Sequence, residues 1–481
     1  MRKLVAIMLT CLAFMQAVAY DFKNGDLCYN ITSSTESYTV EVVKGSYSSL
    51  TAVEIPSIVT NEGQVYMVTS VGSNAFKNCT ALKSVTLPNT IVSIGEYAFN
   101  SCSGLSTIAI PKSVKSFGPY AFDKCSGLTS LYYNGTIEEW LGITFSNAES
   151  QPLRCAHNLY INNVEPGDLV IPNNVEMIGD YAFYGCRNLS SVTIPKSVTY
   201  IGNLAFRLCD NLKSFKVEDG SKDFVSVDDV LFNYSRTVLM WYPNLKPDTD
   251  YTVPDGVDDI GPAAMQGSKN LVNLVLPATI DTIYGSAFYD CSNLETIVIP
   301  EGVQVIRGSV FYRCGKLKQV SIPSTVTFIG DYTFAYTGLE NVYLPDKLKA
   351  LNKGLFESCT KLKSIVIPNS VTSISDNVFS GCSSLSSMSC YASTPPSLGS
   401  SALGSPQKRT IEIPCGSLAA YESKWKYYIN SNTIYNDVLL FDFEAVTDNE
   451  TMGAVEIVQQ YDCSKDAIIK AVAKNGYHFV K

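Results

Sequence analysis

The sequence predicts a β-rich solenoid in which short parallel strands line one face of successive coils, and two observations predict it. Prolines that follow Ile, Leu or Val recur from Pro88 to Pro368 at steps of 23, 61, 23, 59, 23, 23, 23, 22 and 23 residues. A large apolar residue recurs in the same frame, eleven times from Phe76 to Phe379. A fixed period of this length indicates stacked units, none of which can bury its apolar side chains alone.

Each repeat is expected to form one coil with one short strand. In one repeat Ile108 and Ile110 alternate with polar residues, as a strand with one buried face requires. Pro111 cannot donate a hydrogen bond to a neighbouring strand, and therefore ends it. The apolar residue at the centre of each repeat should be a buried anchor. The anchors are Phe76, Phe99, Phe122, Phe183, Phe206, Met265, Phe288, Phe311, Phe334, Phe356 and Phe379.

The repeated pattern Ala98-Phe99-x-x-Cys102-x-x-Leu105-x-x-Ile108-x-Ile110-Pro111 resembles the BspA-like leucine-rich repeats of bacterial surface proteins. The resemblance extends over residues 71–389. It implies a curved, right-handed leucine-rich-repeat solenoid with the strands on one face, and a role in adhesion to host matrix glycoproteins or to other microbes.

Several segments flank or interrupt the repeats. Residues 1–19 combine Arg2 and Lys3, an apolar run and Ala17-Val18-Ala19, which predicts a signal peptide and hence export to the bacterial surface or beyond. Residues 20–70 predict a β-rich N-terminal cap, and residues 71–392 the solenoid. Enlarged units are expected at about 131–170 and 217–252.

The end of the chain departs from the period. Residues 393–432, with Ser393-Thr394-Pro395-Pro396 near their start, resemble the closing cap of such solenoids. Residues 433–481 resemble the beginning of a β-grasp-like, InlB B-type repeat and are interpreted as a truncated copy. No stretch after the signal peptide approaches the roughly 20 apolar residues of a membrane helix.

Composition excludes several functions. With 36 Lys and Arg against 45 Asp and Glu, the net charge is −9, which leaves no basic surface for nucleic acid. Only two histidines occur, His157 and His478, and neither has a nucleophile or acid at useful spacing. There is no Gly-x-Ser-x-Gly motif and no phosphate-binding Gly-Lys-Ser/Thr loop. We therefore predict no enzyme activity and no cofactor.

Fifteen cysteines in an exported chain first suggest disulfides. Nine of them occupy one repeat position, three residues after the anchor, and Ser268 and Thr337 take that position in two other units. Neighbouring coils would hold these side chains about 4.8 Å apart, farther than disulfide geometry allows. We predict a buried column of free thiols. The column comprises Cys79, Cys102, Cys125, Cys186, Cys209, Cys291, Cys314, Cys359 and Cys382. Cys390 with Cys415 is the one disulfide considered.

Acidic pairs offer the main alternative to a binding protein. Glu138-Glu139, Asp228-Asp229 and Asp258-Asp259 are interpreted as solvated turn residues, because neighbours in a strand point to opposite faces. An enzyme would instead need two carboxylates facing each other across a cleft near Trp140 in the first enlarged unit.

The outward positions of the strands form the candidate binding face. They carry short hydroxyls and scattered charges without convergent titratable groups, which suits extended binding. The candidate residues are Lys83, Thr86, Thr193, Lys213, Lys216, Lys318, Gln319, Glu340, Tyr343 and Lys363. Tyr97, Tyr120, Tyr181 and Tyr332, two residues before their anchors, either add aromatic contacts on a rim or cover the seam between coils.

The sequence thus predicts a secreted or surface-bound, monomeric, non-catalytic scaffold that binds an extracellular protein or glycoprotein. Binding of a polysaccharide is the alternative. It would use exposed aromatic platforms, for which Trp140, Trp241 and Trp425 are the available tryptophans, all outside the regular repeats.

Overall fold

The computed structural model describes residues 20–35, 37–404, 409–429, 433–438, 453–457 and 469–473. The first of two units comprises Met1–Tyr234 and Pro243–Leu245, and the second comprises Ser235–Tyr242 and Lys246–Lys481. The predicted signal peptide lies outside the described residues, as do most residues of the predicted β-grasp-like repeat.

The first unit begins with a cap of six strands. They are β1 (Phe22–Asn24), β2 (Leu27–Ser33), β3 (Thr39–Val43), β4 (Ala52–Glu54), β5 (Ile58–Asn61) and β6 (Gln64–Val71). Strands β1, β2 and β3 pair antiparallel, whereas β6 runs parallel to β3 and antiparallel to β5. Tyr29, Val42 and Val68 are fully buried between these strands.

Short strands and two small helices follow in the same unit. They are β7 (Ser84–Thr86), β8 (Ser93–Ile94), β9 (Thr107–Pro111), β10 (Ser116–Phe117), β11 (Ser130–Asn134), α1 (Ile137–Leu141), β12 (Thr144–Phe145), a 3-10 turn (Ala148–Ser150), α2 (Leu153–Ala156), β13 (Asn158–Ile161), β14 (Gly167–Val170), β15 (Met177–Ile178), β16 (Leu189–Ile194), β17 (Tyr200–Ile201), β18 (Ser214–Val217), β19 (Phe224–Val227) and β20 (Val230–Asn233). Strands β19 and β20 form an antiparallel hairpin that turns at Asp228 and Asp229.

The second unit continues the same alternation. Its elements are β21 (Val238–Trp241), β22 (Asp250–Thr252), β23 (Asp259–Ile260), β24 (Asn273–Val275), β25 (Thr282–Ile283), β26 (Thr296–Val298), β27 (Val305–Ile306), β28 (Gln319–Ser321), β29 (Phe328–Ile329), β30 (Ala350–Leu351), β31 (Ser364–Ile367), β32 (Ser373–Ile374), β33 (Ser387–Cys390), β34 (Ser397–Leu398), β35 (Arg409–Pro414), α3 (Leu418–Trp425), β36 (Thr433–Val438), β37 (Gly453–Ile457) and β38 (Ile469–Ala473).

Parallel pairing between coils confirms the solenoid within each unit. The longer strands pair in the series β9, β11 and β13 in the first unit and β22, β24, β26 and β28 in the second. Each regular coil also has a second strand of two residues, which the sequence analysis did not predict. Phe117 of β10 pairs with Ile94 of β8, for example. The expectation of one strand per coil was therefore wrong. A few residues after each proline, an apolar residue and the residue before it pair with the neighbouring coils as a second, very short strand.

The anchors lie in a tight corner of each coil. Backbone bonds link these corners from coil to coil, as from the Phe99 N–H to the Ala121 carbonyl at 2.8 Å. The residues two places before and after an anchor have left-handed backbone, such as Tyr97 with φ 55° and Ser101 with φ 61°. This conformation is costly for residues other than glycine, so the stacked corners must supply the compensating contacts.

Stacked phenylalanines provide those contacts. Every anchor is buried, with 0–1% of its surface exposed. In the second unit the rings of Phe288, Phe311, Phe334, Phe356 and Phe379 stack in order, with centroids 5.3–5.7 Å apart. Such pairs add about 0.5–1.5 kcal/mol each beyond the burial of their area.

The predicted column of free thiols is confirmed, since all nine cysteines are free and buried. Their sulfur atoms are more than filler. Cys314 Sγ donates to the Phe288 carbonyl at 3.1 Å, and Cys102 Sγ to the Phe76 carbonyl at 3.1 Å. In most of these coils the thiol thus caps the anchor carbonyl of the preceding coil. The considered pairing of Cys390 with Cys415 was wrong, because Cys390 is free while Cys415 is disulfide-bonded.

The end of the second unit differs from the expected boundary at residue 433. Strand β36 pairs in parallel with β35 along six residues, so it extends the solenoid sheet and does not begin a separate repeat. Strands β37 and β38 form an antiparallel pair. Helix α3 packs Tyr421 and Trp425 into the interior, where both are fully buried.

Candidate binding surface

The outward side of the longer strands, which we call the strand face, carries the residues that the sequence singled out. Most of them are exposed, and Thr193 and Glu340 are half-buried. Alternation explains this placement, because Val85, Phe215, Val320 and Ile365 between them point inward and are buried. The strand face of each unit is described separately. The first unit places Lys83, Thr86, Thr193, Lys213 and Lys216, and the second places Lys318, Gln319, Glu340, Tyr343 and Lys363.

In the second unit the strand face presents a charged column of alternating sign. Glu295, Lys318, Glu340 and Lys363 occupy the same position in four successive coils. Lys318 Nζ lies 3.2 Å from a Glu295 carboxylate oxygen, and Lys363 Nζ lies 2.8 Å from one of Glu340. The hydrogen bond from Lys363 lowers the pKa of the Glu340 carboxyl. The column is therefore ordered by pairs that bridge neighbouring coils.

A polar column and an apolar column run beside the charged one. The polar column consists of exposed amides and hydroxyls at Asn273, Thr296, Gln319, Asn341 and Ser364. The apolar column includes Val275, Val298 and Tyr343, whose side chains are 56%, 67% and 81% exposed, and it is interrupted by Ser321 between Val298 and Tyr343. Where the strands pair, neighbouring members of a column lie at roughly the 4.8 Å spacing between paired strands.

Tyr343 lies where the strand face is interrupted. The coil that ends at Pro345 has 22 residues instead of 23, and residues 340–344 are not hydrogen-bonded as a strand. Strands β28 and β31 consequently belong to two different sheets. The most exposed aromatic side chain of this face therefore lies between two ordered sheets.

In the first unit the strand face carries a pair of tyrosines that sequence analysis missed. Tyr132 and Tyr160 stack with ring centroids 4.8 Å apart on the paired strands β11 and β13. A hydrogen bond to Glu165 is the largest cause that raises the pKa of Tyr160. Both tyrosines follow a buried leucine, but they are 28 residues apart, so a search at the 23-residue period does not align them.

Asp168 organises the neighbouring part of that face. Its carboxylate accepts hydrogen bonds from the hydroxyls of Ser190 and Ser191, both at 2.7 Å. These bonds, and to a lesser degree Lys216 and Lys213, lower the pKa of Asp168. The two lysines predicted from sequence thus lie near an ionised carboxylate that sequence analysis did not single out.

The tyrosines two residues before the anchors cover the seam between coils. Tyr97 and Tyr120 stack at 5.0 Å, and Lys77 Nζ lies 4.2 Å from the centre of the Tyr97 ring. The Tyr332 ring lies over Gly354, where a Cβ atom would come within 2.2 Å of it. These contacts favour the seam role over the rim role for these residues.

In the enlarged unit near Trp140, the tryptophan ring is buried and one of the two adjacent glutamates caps a helix. Trp140 is fully buried and its Nε1 donates to the Ala182 carbonyl at 3.0 Å, so this residue does not provide the exposed aromatic platform that the polysaccharide alternative requires. Trp425 is buried in the same way, with Nε1 bonded to the Pro396 carbonyl. Glu139 accepts a hydrogen bond from the Thr136 N–H and caps α1.

The part of the chain that the structure describes offers neither a metal-binding cluster nor a membrane-spanning helix. No group of three or more His, Cys, Asp or Glu side chains in that part of the chain is arranged to hold a metal ion. None of the helices described is long and apolar enough to cross a membrane.

The fold has counterparts among solved structures. A leucine-rich cell surface protein from Faecalibacterium prausnitzii A2-165 is 23% identical over 77% of this chain and 94% of its own, with a TM-score of 0.50. The pneumococcal vaccine antigen PcpA is 20% identical over 88% of this chain and 98% of its own, with a TM-score of 0.49. The first shows the same fold. No curated protein sequence matches the chain.

The family is shown by the sequence itself. The family model described as "BspA type Leucine rich repeat region (6 copies)" matches residues 46–164, 157–246, 241–363 and 349–436. Together these matches span most of the chain, and they coincide with the stacked coils and their strand faces. The chain belongs to the BspA-type leucine-rich repeat family.

Proposed function

We propose that this protein is exported and acts at the bacterial surface as a non-catalytic adhesion scaffold, which binds an extended segment of an extracellular protein along the strand face. The observation that carries the proposal is the set of three parallel columns in the second unit. An extended ligand crossing the strands would meet charges of alternating sign on four successive coils, a polar group beside each of them, and an apolar group on three of the four coils from Val275 to Tyr343, since Ser321 takes that position in β28. Membership of a family of bacterial surface proteins supports the location.

The apolar column supports a protein ligand in particular. Val275, Val298 and Tyr343 share one repeat position and are exposed, which is of little use to a free, solvated surface. Tyrosine is also enriched among the residues that dominate binding energy. Exposed ion pairs such as Glu340 with Lys363 contribute only about 0–1 kcal/mol to stability. Their alternation is better suited to aligning a partner, since complementary charge fixes the position of a ligand.

The test is a binding measurement of the secreted chain on immobilised fibronectin, laminin, collagen and mucin. We expect saturable binding to at least one protein and a loss of at least about 10-fold in affinity for Tyr343→Ala, as for a central interface aromatic. Tyr336→Ala, which removes an exposed tyrosine of the same coil away from the strand face, should bind like the wild type.

A charge variant gives a second, independent test. Lys318→Glu should weaken binding and change its dependence on salt, whereas Lys316→Glu in the adjoining turn should not. Equal binding by Tyr343→Ala and Tyr336→Ala, or no saturable binding to any of the immobilised proteins, would overturn the proposal.

A further inference from the structure

We infer that the second unit also contains a binding cleft for an acidic saccharide, at the junction between the last regular coils and the closing helix. The cleft has a volume of about 690 Å³, within the range of small-ligand sites. It is separate from the columns of the strand face, and does not depend on the proposed protein ligand. It would give the protein glycan binding through residues other than the tryptophans considered above.

The walls of the cleft are held in place by α3. One wall is the turn that begins at Asn369, together with Lys349 of the preceding coil, and the other is the loop 391–395. The Tyr421 hydroxyl donates to the Ala392 carbonyl at 2.7 Å, and Lys424 Nζ donates to the Pro395 carbonyl at 2.7 Å. Because these bonds tie the loop to a packed helix, the cleft is pre-formed and a ligand need not order it.

The chemistry of the lining determines the class of ligand. Lys349 and Lys424 contribute two positive charges from opposite walls, and no Asp or Glu is among the residues that line the cleft. Lys349 forms no ion pair within the described part of the chain. Asn369, Ser393 and Thr394 are exposed in the cleft and offer an amide and two hydroxyls. Cations with several neutral hydrogen-bonding groups suit a hydroxylated ring that bears a carboxylate or a sulfate.

The sequence motif at this site has no other role in the proposed function. Ser393-Thr394-Pro395-Pro396 departs from the repeat, and the two prolines stiffen the loop by fixing the backbone φ angle. The carbonyls of Pro395 and Pro396 accept hydrogen bonds from the side chains of Lys424 and Trp425. The loop therefore presents Ser393 and Thr394 toward the cleft from a rigid base.

The experiment compares binding of 3′-sialyllactose, lactose 6′-sulfate, lactose and inorganic sulfate to the full chain by calorimetry at 50 and 300 mM salt. We expect at least one acidic sugar to bind at least 10-fold more tightly than lactose and than inorganic sulfate, and to weaken at high salt as charge attraction is screened. The two acidic sugars distinguish a carboxylate from a sulfate. Lys349→Gln should reduce affinity at least 10-fold, and the control Lys316→Gln should not.

Lys424→Gln is a second variant that also removes the bond to the Pro395 carbonyl. Hydrogen exchange in residues 391–395 then reports whether the loop has loosened, which Lys349→Gln should not cause. Equal binding of lactose and the acidic sugars, binding of inorganic sulfate as tight as that of the sugars, or wild-type binding by Lys349→Gln would overturn the inference. Lys349→Gln should leave binding to immobilised matrix protein unchanged. The saccharide site in the cleft and the protein-binding role of the strand face are therefore tested independently.

Discussion

The regular coils of the second unit and the enlarged coil of the first fill their interiors in different ways. From Phe288 to Phe379 each coil repeats one ring stacked on the next, and most repeat one thiol bonded to the preceding carbonyl. The enlarged coil takes 28 residues from Leu131 to Leu159, and its interior is filled by helix α1 and Trp140. Regular coils are thus stabilised by identical neighbours, whereas the enlarged coil relies on contacts that occur once.

The largest expected effect comes from interrupting the repeated stack. Phe311 has a stacked ring on both sides, so Phe311→Ala should cost about 3–5 kcal/mol through lost burial and a cavity. Hydrogen exchange should show the loss spreading into the coils of Phe288 and Phe334, because each coil contacts chiefly its neighbours. Lys316→Ala on the surface of the same coil is the control. Unchanged exchange in the neighbouring coils would contradict the stacked core.

A smaller and more local effect is expected in the enlarged coil. Trp140→Phe removes the bond to the Ala182 carbonyl and part of a buried ring, which should cost about 2 kcal/mol. Gln151 also donates to that carbonyl at 3.1 Å, so the carbonyl is not left unsatisfied. Hydrogen exchange should rise in residues 131–185. Trp425→Phe, which removes an equally buried indole from α3, should instead act on residues 390–425.

This contrast explains what could be predicted from sequence. The anchors and the thiol column recur at the 23-residue period, so comparing the repeats with one another is enough to find them. The Tyr132 and Tyr160 stack and the bond from Trp140 to Ala182 depend on contacts 28 and 42 residues apart, outside the period. The second strand of each coil was missed because two paired residues leave too short a pattern to distinguish from a turn.

The cap of α1 gives a smaller effect again. The Thr136 hydroxyl accepts from the Glu139 N–H while the Glu139 carboxylate accepts from the Thr136 N–H, which forms a capping box. Thr136→Ala should cost about 1 kcal/mol, measured as faster exchange in α1. Glu139→Gln keeps an acceptor at that position and should cost less. A negligible cost for Thr136→Ala beside a larger cost for Glu139→Gln would show that the charge of Glu139, and not the box, stabilises the helix.

The smallest effect on stability is expected at Cys155, and the measurement there is the selective chemical modification of its thiol. Cys155 lies in α2 of the enlarged coil, and its thiol donates to the Phe122 carbonyl at 3.5 Å. The thiols of the regular column make the equivalent bond to their own preceding anchors at 3.0–3.2 Å. It is half-exposed, whereas the nine thiols of the column are buried. The enlarged coil therefore keeps the hydrogen bond of the regular coils but not their protection from solvent.

Iodoacetamide should modify Cys155 of the native chain at least about 10-fold faster than Cys291 or Cys359, as measured by peptide mapping. Burial raises the pKa of Cys291 to about 12 and that of Cys359 to about 11, and it raises the pKa of Cys155 as well. A raised pKa lowers the thiolate fraction at pH 8, so the rate at Cys155 should keep rising with pH beyond the ordinary thiol pKa of about 8.5. Cys155→Ser should abolish the fast modification, and urea should expose the column thiols. Equal rates at Cys155 and Cys291 in the native protein would mean that the regular coils open as readily as the enlarged one, which the stacked anchors do not allow.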